Sequence, residues 1–320
     1  MILAGDIGGT HTRLALFARE GEFSLAGEKT YPSRKYAGLE EIVQEFLQGK
    51  TVSRACFGVA GPVVEGRCKA TNLPWIVDAA KLSKDLGIAS VSLLNDLEAN
   101  AYGLRALKEE DLYLLQSGKK QVGNRALIAA GTGLGEAGLY WDGKEHRPFA
   151  CEGGHADFAP RNEEEMELLK HLQRQFDHVS CERVVSGPGI LSMYRFLVET
   201  GREKGSKEVE MEMKRRDPPA VISEFGREKR DRACARVIEW FLSLYGAEAG
   251  NLALKIFSIG GLYIGGGIAP HLIELLKTGD FRASFANKGR FKELLESVSI
   301  YVIRNDNTAL LGAAVFGRGR

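Results

Sequence analysis

Carboxylates that follow apolar runs, and glycines grouped at chain reversals, are the features of this sequence whose spacing could do chemistry. In Leu93-Leu94-Asn95-Asp96-Leu97-Glu98-Ala99-Asn100 a carboxylate stands at the end of an apolar run and at the mouth of a helix. Val91 to Leu94 reads as a buried strand, and Asn95 or Asp96 as the cap of a helix carrying Ala99, Ala101, Tyr102 and Leu104. A carboxylate held at that junction can take the proton of a substrate hydroxyl within hydrogen-bond reach. Taken alone, the stretch is also what a plain helix cap looks like.

Glycine turns suited to phosphate flank it on both sides. Ile2 to Ala4 and Leu14 to Phe17 are short strands of a hairpin whose bend is Gly5-Asp6-Ile7-Gly8-Gly9-Thr10. Gly8 and Gly9 can take positive φ and bring backbone N–H groups to an anion, while Thr10 adds a hydroxyl. The pattern is not a P-loop, because it lacks Gly-Lys-Ser/Thr and leads into a strand rather than a helix. From Arg125 the arrangement recurs: strand Ala126 to Ala130, turn Gly131-Thr132-Gly133-Leu134-Gly135, strand Ala137 to Trp141. The chain therefore reads as internally duplicated, with one glycine turn in each half for a polyphosphate.

The elements that must position these groups alternate between strand and helix. Phe23 to Tyr31 reads as a third strand, and Leu39 to Leu47 as an amphipathic helix with Ile42, Val43 and Phe46 on one face. Ala55 to Ala60 is a buried strand, Val63-Val64 and Cys68 to Ala70 a strand pair, and Ile76 to Leu86 a helix closed by Gly87. This order describes an α/β domain. Beyond the repeat come Glu152-Gly153-Gly154-His155, a helix Glu163 to Gln175 capped by Asn162, and Glu182 ahead of the turn Ser186-Gly187-Pro188-Gly189. Gly201 to Asp217, charged and poor in apolar anchors, reads as a solvated loop. Ala233 to Phe257 is expected to be a long buried helix. Leu262 to Ile268 is a strand running into Gly265-Gly266-Gly267, where a nucleotide's sugar or base could lie flat against backbone without Cβ atoms.

Composition narrows the class. At 320 residues the chain exceeds a typical single core, so two domains are expected. Lys+Arg 43 against Asp+Glu 42 leaves a net charge of +1, which gives no reason to expect nucleic acid or an anionic membrane as partner. Cys56, Cys68, Cys151, Cys181 and Cys234 are scattered, without the close pairing of zinc or redox motifs, so reduced thiols are expected. The start of the chain lacks the basic and long apolar regions of a signal peptide, and Ile256 to Pro270 is too short and glycine-broken to span a bilayer. A cytoplasmic protein is the expectation.

Assembled in order, these stretches resemble the bacterial glucokinases of the hexokinase and actin-like ATPase superfamily, nearly end to end. The residues carrying the resemblance are Gly5 to Thr10, Thr71-Asn72-Leu73-Pro74-Trp75, Leu94-Asn95-Asp96, Gly131 to Gly135, Glu152 to Phe158, Glu182-Arg183-Val184 with Ser186 to Gly189, and Gly265 to Gly267. It implies a duplicated ribonuclease H-like (actin-like ATPase) fold, two α/β domains around a cleft. The small domain would span 1–106 plus 306–320, and the large one 107–305, carrying most of the sugar site and the dimer surface of a homodimer. It also implies transfer of the γ-phosphate of ATP to the 6-hydroxyl of D-glucose. By that likeness Asp96 is the base, and Asn95, Asp96, Glu152, His155 and Glu182 hold the sugar. Gly5, Asp6, Ile7, Gly8, Gly9 and Thr10, with Gly131, Thr132 and Gly133, would hold phosphates, Gly265, Gly266 and Gly267 would approach the adenosine, and Asp6 would meet Mg²⁺.

The chemistry agrees with the likeness. Phosphoryl transfer asks mainly for alignment and offset charge, so one base suffices, and a rim of sugar hydroxyls calls for ionised acceptors at fixed positions. In one respect the chain departs from the related ROK sugar kinases, which follow their glycine-histidine motif with a zinc-binding cysteine cluster. Asp157 to Arg161 contains no cysteine and Cys151 is the only nearby thiol, so zinc is not expected at His155. The rivals are a kinase of the same superfamily acting on mannose or N-acetylglucosamine, and a sugar-sensing regulator without turnover. The second is disfavoured because Asp96 is in place and no helix-turn-helix fits before Asp6.

Overall fold

The structure, a computed structural model, describes residues 1–18 and 24–319; Phe23, where the third predicted strand begins, lies outside them. In chain order the first part runs β1 (Ile2–Ile7), β2 (His11–Phe17), β3 (Leu25–Pro32), α1 (Leu39–Leu47), β4 (Arg54–Val59), β5 (Val63–Val64), β6 (Arg67–Lys69), β7 (Ile76–Asp78), α2 (Ala79–Leu86), β8 (Ser90–Asn95) and α3 (Asp96–Gly103). Next come β9 (Leu112–Gln116), β10 (Arg125–Ala130), β11 (Leu134–Trp141), β12 (His146–Cys151), α4 (Glu163–Leu172), α5 (Gly187–Glu199), α6 (Lys207–Met213), α7 (Pro218–Arg227) and α8 (Arg232–Ile256). The chain closes with β13 (Leu262–Gly265), α9 (Ile273–Leu276), α10 (Asp280–Ala286), α11 (Lys292–Glu296), β14 (Ile300–Ile303) and α12 (Thr308–Arg318).

Two compact units result: Met1–Asp111 with Arg147–Ala150 and Asn305–Arg320, and Leu112–His146 with Cys151–Arg304. In the first, the sheet order is β3-β2-β1-β4-β8, with β1 antiparallel to β2 and parallel to β4, and β4 parallel to β8. The other large sheet has the order β12-β11-β10-β13-β14-β9, with β10 antiparallel to β11 and parallel to β13, and β13 parallel to β14. Around β1 and around β10 the strand order and sense are the same. The repeat seen in the glycine turns is thus a repeat of topology.

Side-chain size sorts the two faces of the first unit's sheet. Leu3, Leu14 and Phe57 pack with Leu39, Ile42 and Val43 of α1 and Leu82 of α2, while Phe46, read as facing the core, is only partly buried. The opposite face carries Ala4, Ala15 and Cys56, whose small side chains let α3 and α12 lie close against it. The two helices are themselves in close contact. A Cβ on Gly103 would fall within 3.0 Å of Thr308 O, and one on Gly312 within 3.0 Å of Ala99 O, separations that real Cβ atoms do not show. In the second unit α8 is buried along most of its 25 residues, starting where Asp231 Oδ1 accepts from Cys234 N at 2.9 Å and ending where Phe257 turns to φ 54°.

Three local readings are corrected. Ile76 to Leu86 is not one helix: Ile76–Asp78 pairs with β6, and Asp78, extended at φ −128°, accepts from Lys81 N and so starts α2 after itself. Ser186 to Gly189 is not a turn ahead of a helix at Ile190. Ser186 Oγ accepts from Gly189 N at 3.1 Å, so the helix begins at Gly187, with Pro188 in the first turn where its missing N–H costs nothing. Gly201 to Asp217 contains α6, which Ser206 caps and the buried Val209 anchors. Among the described residues no disulfide joins the five cysteines, and no helix is long and apolar enough to cross a membrane.

Candidate active site

In the first unit, the strand-to-helix junction at residue 96 is tightly determined. Asn95, not Asp96, is the cap: its Oδ1 accepts from Leu97 N at 2.9 Å and Glu98 N at 3.4 Å, and its Nδ2 donates to Gly61 O at 3.1 Å. Asp96 is therefore the first helical residue, half-buried, with Oδ1 also accepting from Leu97 N at 2.9 Å. A helix N-terminus favours negative charge at that position. Asp6 lies opposite Gly58 in the parallel pairing of β1 with β4, so their side-chain directions share one face of the sheet. A Cβ on Gly58 would come within 2.8 Å of Ala99 Cβ and 3.7 Å of Asp96 Cα. The first turn of α3 consequently rests on the face from which Asp6 projects. Burial raises the pKa of the Asp6 carboxyl above its ordinary value, and the nearby Arg13 guanidinium pulls it back down.

The bend that follows Asp6 is held from several sides. Gly8 N donates to His11 O at 2.9 Å, Ser33 Oγ donates to Gly8 O at 2.8 Å, and Ala60 N donates to Ile7 O at 3.1 Å. Neither Gly8 nor Gly9 has positive φ, contrary to the simple turn argument. Space explains Gly9 instead, since a Cβ there would sit 3.0 Å from Asn72 Cβ in the Thr71–Trp75 stretch. Gly5 and Ile7 are buried within β1, leaving Gly8, Gly9 and Thr10 as the accessible part of the bend.

In the second unit, three segments far apart in sequence converge. Glu182 Oε2 accepts from Leu134 N at 2.9 Å, and a Cβ on Gly133 would collide with that carboxylate. Gly187 N donates to Gly131 O at 2.8 Å, Cys181 N to Ala156 O at 2.9 Å, and Phe158 N to Val179 O at 3.0 Å. The Gly131–Gly135 turn, the Glu152–Phe158 segment and the Glu182–Gly189 segment are thereby laced into one surface. Glu152 and His155 are exposed on it, at the two ends of a single turn in which His155 N donates to Glu152 O at 3.0 Å.

A cavity of about 540 Å³ opens beside the same glycine turn. It is lined by Gly131 and Thr132, by Gly187 and Pro188, by Gly267, Ile268 and His271, and by Pro219, Ala220, Ser223, Glu224 and Arg227 of α7. Of the triple glycine, Gly265 is buried inside β13, and a Cβ on Gly266, where φ is +81°, would strike Ala130 O. Arg216 and Asp217 also line this cavity, so the stretch read as merely solvated contributes to a concave, mostly apolar surface beside the turn. The lining from α7 was missed because nothing local marks it; Asp217-Pro218-Pro219 signals a stiff helix start, not what the helix faces.

A protein-family model described as Glucokinase matches residues 3–319. The chain is 42% identical over 334 residues to a glucokinase of Nostoc punctiforme, covering 98% of both chains. It superposes with a TM-score of 0.85 on a crystal structure of a glucokinase from an Antarctic psychrotroph at 29% identity, covering 100% of this chain and 99% of that one. A ROK family glucokinase of Streptomyces griseus, solved with glucose and AMPPNP, shares the fold with a TM-score of 0.67 at 20% identity, covering 100% and 99%.

Proposed function

We propose, since this chain belongs to the glucokinase family and has the duplicated α/β architecture of the actin-like ATPase fold, that it transfers the γ-phosphate of ATP to the 6-hydroxyl of D-glucose. It is a hexose kinase, an enzyme whose family name rests on likeness along nearly the whole chain. The observation that carries the proposal is the double use of the Gly131–Gly133 turn. Gly131 and Thr132 line a nucleotide-sized cavity while Gly133 abuts the Glu182 carboxylate, so one backbone turn joins donor and acceptor positions. The Streptomyces griseus relative was solved with both kinds of ligand, glucose and an ATP analogue.

In this reading the 6-hydroxyl oxygen attacks the γ-phosphorus, the bond from that phosphorus to the β-bridging oxygen breaks, and the hydroxyl proton passes to the Asp96 carboxylate. Asn95, Glu152, His155 and Glu182 engage the remaining hydroxyls. Gly8, Gly9 and Thr10, with Gly131 to Gly133, hold the phosphates through backbone N–H and hydroxyl groups. Asp6 fits the role of magnesium ligand. Among the described residues no three His, Cys, Asp or Glu side chains gather into a cage, and Mg²⁺ is commonly bound by one or two carboxylates with substrate phosphates and water. Bound there, it would neutralise charge on the β- and γ-phosphates.

A coupled ADP-release assay over a panel of hexoses tests the assignment, with the product identified by phosphorus NMR. Glucose is expected to give the highest kcat/KM and a 6-phosphate. Sugar binding without ADP release would overturn the proposal in favour of a sensor, and a preference for N-acetylglucosamine would overturn the substrate. Glu182→Gln tests the sugar rim, because its amide oxygen can still accept from Leu134 N. Loss of the charged acceptor is expected to raise the glucose KM about tenfold with unchanged ATP KM and melting temperature, as charged hydrogen bonds exceed neutral ones by ~1 kcal/mol or more.

A further inference from the structure

Two carboxylic acids take no part in the chemistry above and yet lie directly beneath it. Glu136 of β11 is 1% exposed and Glu248 of α8 is 5% exposed, and the charge of Glu248 acts on the Glu136 carboxyl. Glu136 lies under the backbone of Gly153 so closely that a Cβ there would collide with its Oε2, and a Cβ on the adjacent Gly154 would strike Leu134 O. Glu248 Oε2 accepts from Asn251 Nδ2 at 2.8 Å and from the Cys181 thiol at 3.3 Å. Cys181 immediately precedes Glu182 and donates its N–H to Ala156 O at 2.9 Å. The pair thus supports both segments to which the sugar contacts are assigned.

We infer that Glu136 and Glu248 are positioning residues for the turn Glu152–His155, holding it seated by sharing one proton and releasing it when that proton is lost. The inference rests on the assignment of Glu152 and His155 to the sugar. Glu136 Oε1 is buried without a hydrogen-bond partner, and Glu248 Oε1 has only the half-exposed Lys255 ammonium, 3.6 Å away, so one cation would have to offset two buried carboxylates if both were charged. Repulsion would drive the carboxylates apart, and Gly153, already in contact, would have to lift.

The surrounding groups leave Glu136 as the acid that titrates near neutrality. Glu136 faces Glu248, Lys255 and Tyr245 of α8, Cys151 at the end of β12, and Cys181; Lys288 and Arg161 are further out, around Glu248. Burial, then the charge of Glu248, pushes the Glu136 carboxyl up to about 8, with Lys255 opposing. Burial likewise pushes the Cys151 and Cys181 thiols and the Tyr245 hydroxyl upward, away from neutral pH. Because this acid's pKa is higher in the folded chain, the fold holds more protons than the unfolded chain between the ordinary glutamate value and about 8. The stability it contributes is present at low pH and lost as pH rises through about 8, and the seated turn is lost with it.

The experiment is a pH series from 6 to 9.5 on the intact enzyme and on Glu136→Gln, which keeps a neutral hydrogen-bonding group at every pH. The parent's glucose KM is expected to rise about tenfold between pH 7 and pH 9, the reciprocal of the fraction still protonated, with ATP KM level. Glu136→Gln should hold the parent's pH 7 value throughout, and Glu136→Ala should raise KM at every pH. Equal alkaline rises in parent and Glu136→Gln, or a flat parent profile, overturn the inference. Hydrogen exchange at residues 153–156 without ligand, corrected for intrinsic base catalysis, separates the two ways of failing. An exchange step near pH 8 absent from Glu136→Gln, with glucose KM flat and unmoved by Glu152→Gln, overturns the sugar assignment. No exchange step, with Glu152→Gln raising KM, overturns the positioning pair.

Discussion

Asp96→Ala is expected to lower kcat by about a hundred- to ten-thousand-fold, the range for removal of a positioned general base, with glucose and ATP still binding. The structure gives a reason to expect a loss confined to the chemical step. Leu97 N, the donor that Asp96 Oδ1 accepts from, is accepted at the same 2.9 Å by Asn95 Oδ1. Asn95 also keeps its bond to Gly61 O, so the cap of α3 survives the substitution. Asp96→Asn, which retains shape and hydrogen-bonding atoms but cannot accept the proton, should be nearly as inactive. Isothermal titration with glucose and burst-free steady-state kinetics read the two quantities separately. Turnover within about threefold of the parent would remove Asp96 from the proton-transfer role.

The second large effect concerns stability where α12 packs against that same helix α3. Gly312→Ala gains about 1 kcal/mol of helix propensity, so an exposed site would be stabilised. Here the new Cβ would meet Ala99 O at a separation that no real Cβ shows, and the obstacle is backbone on one side and a packed helix on the other. Overpacking of this kind costs about 3 kcal/mol or more, so the clash outweighs the propensity. The net loss is expected to lower the melting temperature by about 3 °C or more. Because Ala99 lies one turn after Asp96 on α3, kcat should fall as well, even at temperatures where the variant is folded. Gly27→Ala, where a Cβ meets nothing within 4 Å, is the control and should leave both quantities unchanged. A Gly312→Ala enzyme as stable as the control would show that α12 can draw back from α3 without penalty.

Sequence by itself determined what depends on neighbours along the chain. The hairpins and their glycine bends, the long helix over Arg232–Ile256, the repeat of one supersecondary pattern and the carboxylate at the β8–α3 junction all follow from apolar periodicity, caps and glycine spacing. Their order was enough to identify the family. Even there, local rules failed where two elements compete for a few residues, as at Ile76–Asp78, where strand pairing and the Asp78 cap displaced the helix start.

Tertiary structure alone decided which distant groups share a surface. That Gly133 must be glycine because Glu182 lies against it, that α7 walls the cavity beside Thr132, and that Glu136 lies under Gly153 are contacts between residues distant in sequence. No period or cap encodes them. Burial made the same division among the acids: Glu136 and Glu152 are the same residue type in the sequence, and only packing makes one a proton-holding support and leaves the other exposed on the turn above it. A side chain's chemistry is set by its type, but its acidity and its partners are set by what the fold places around it.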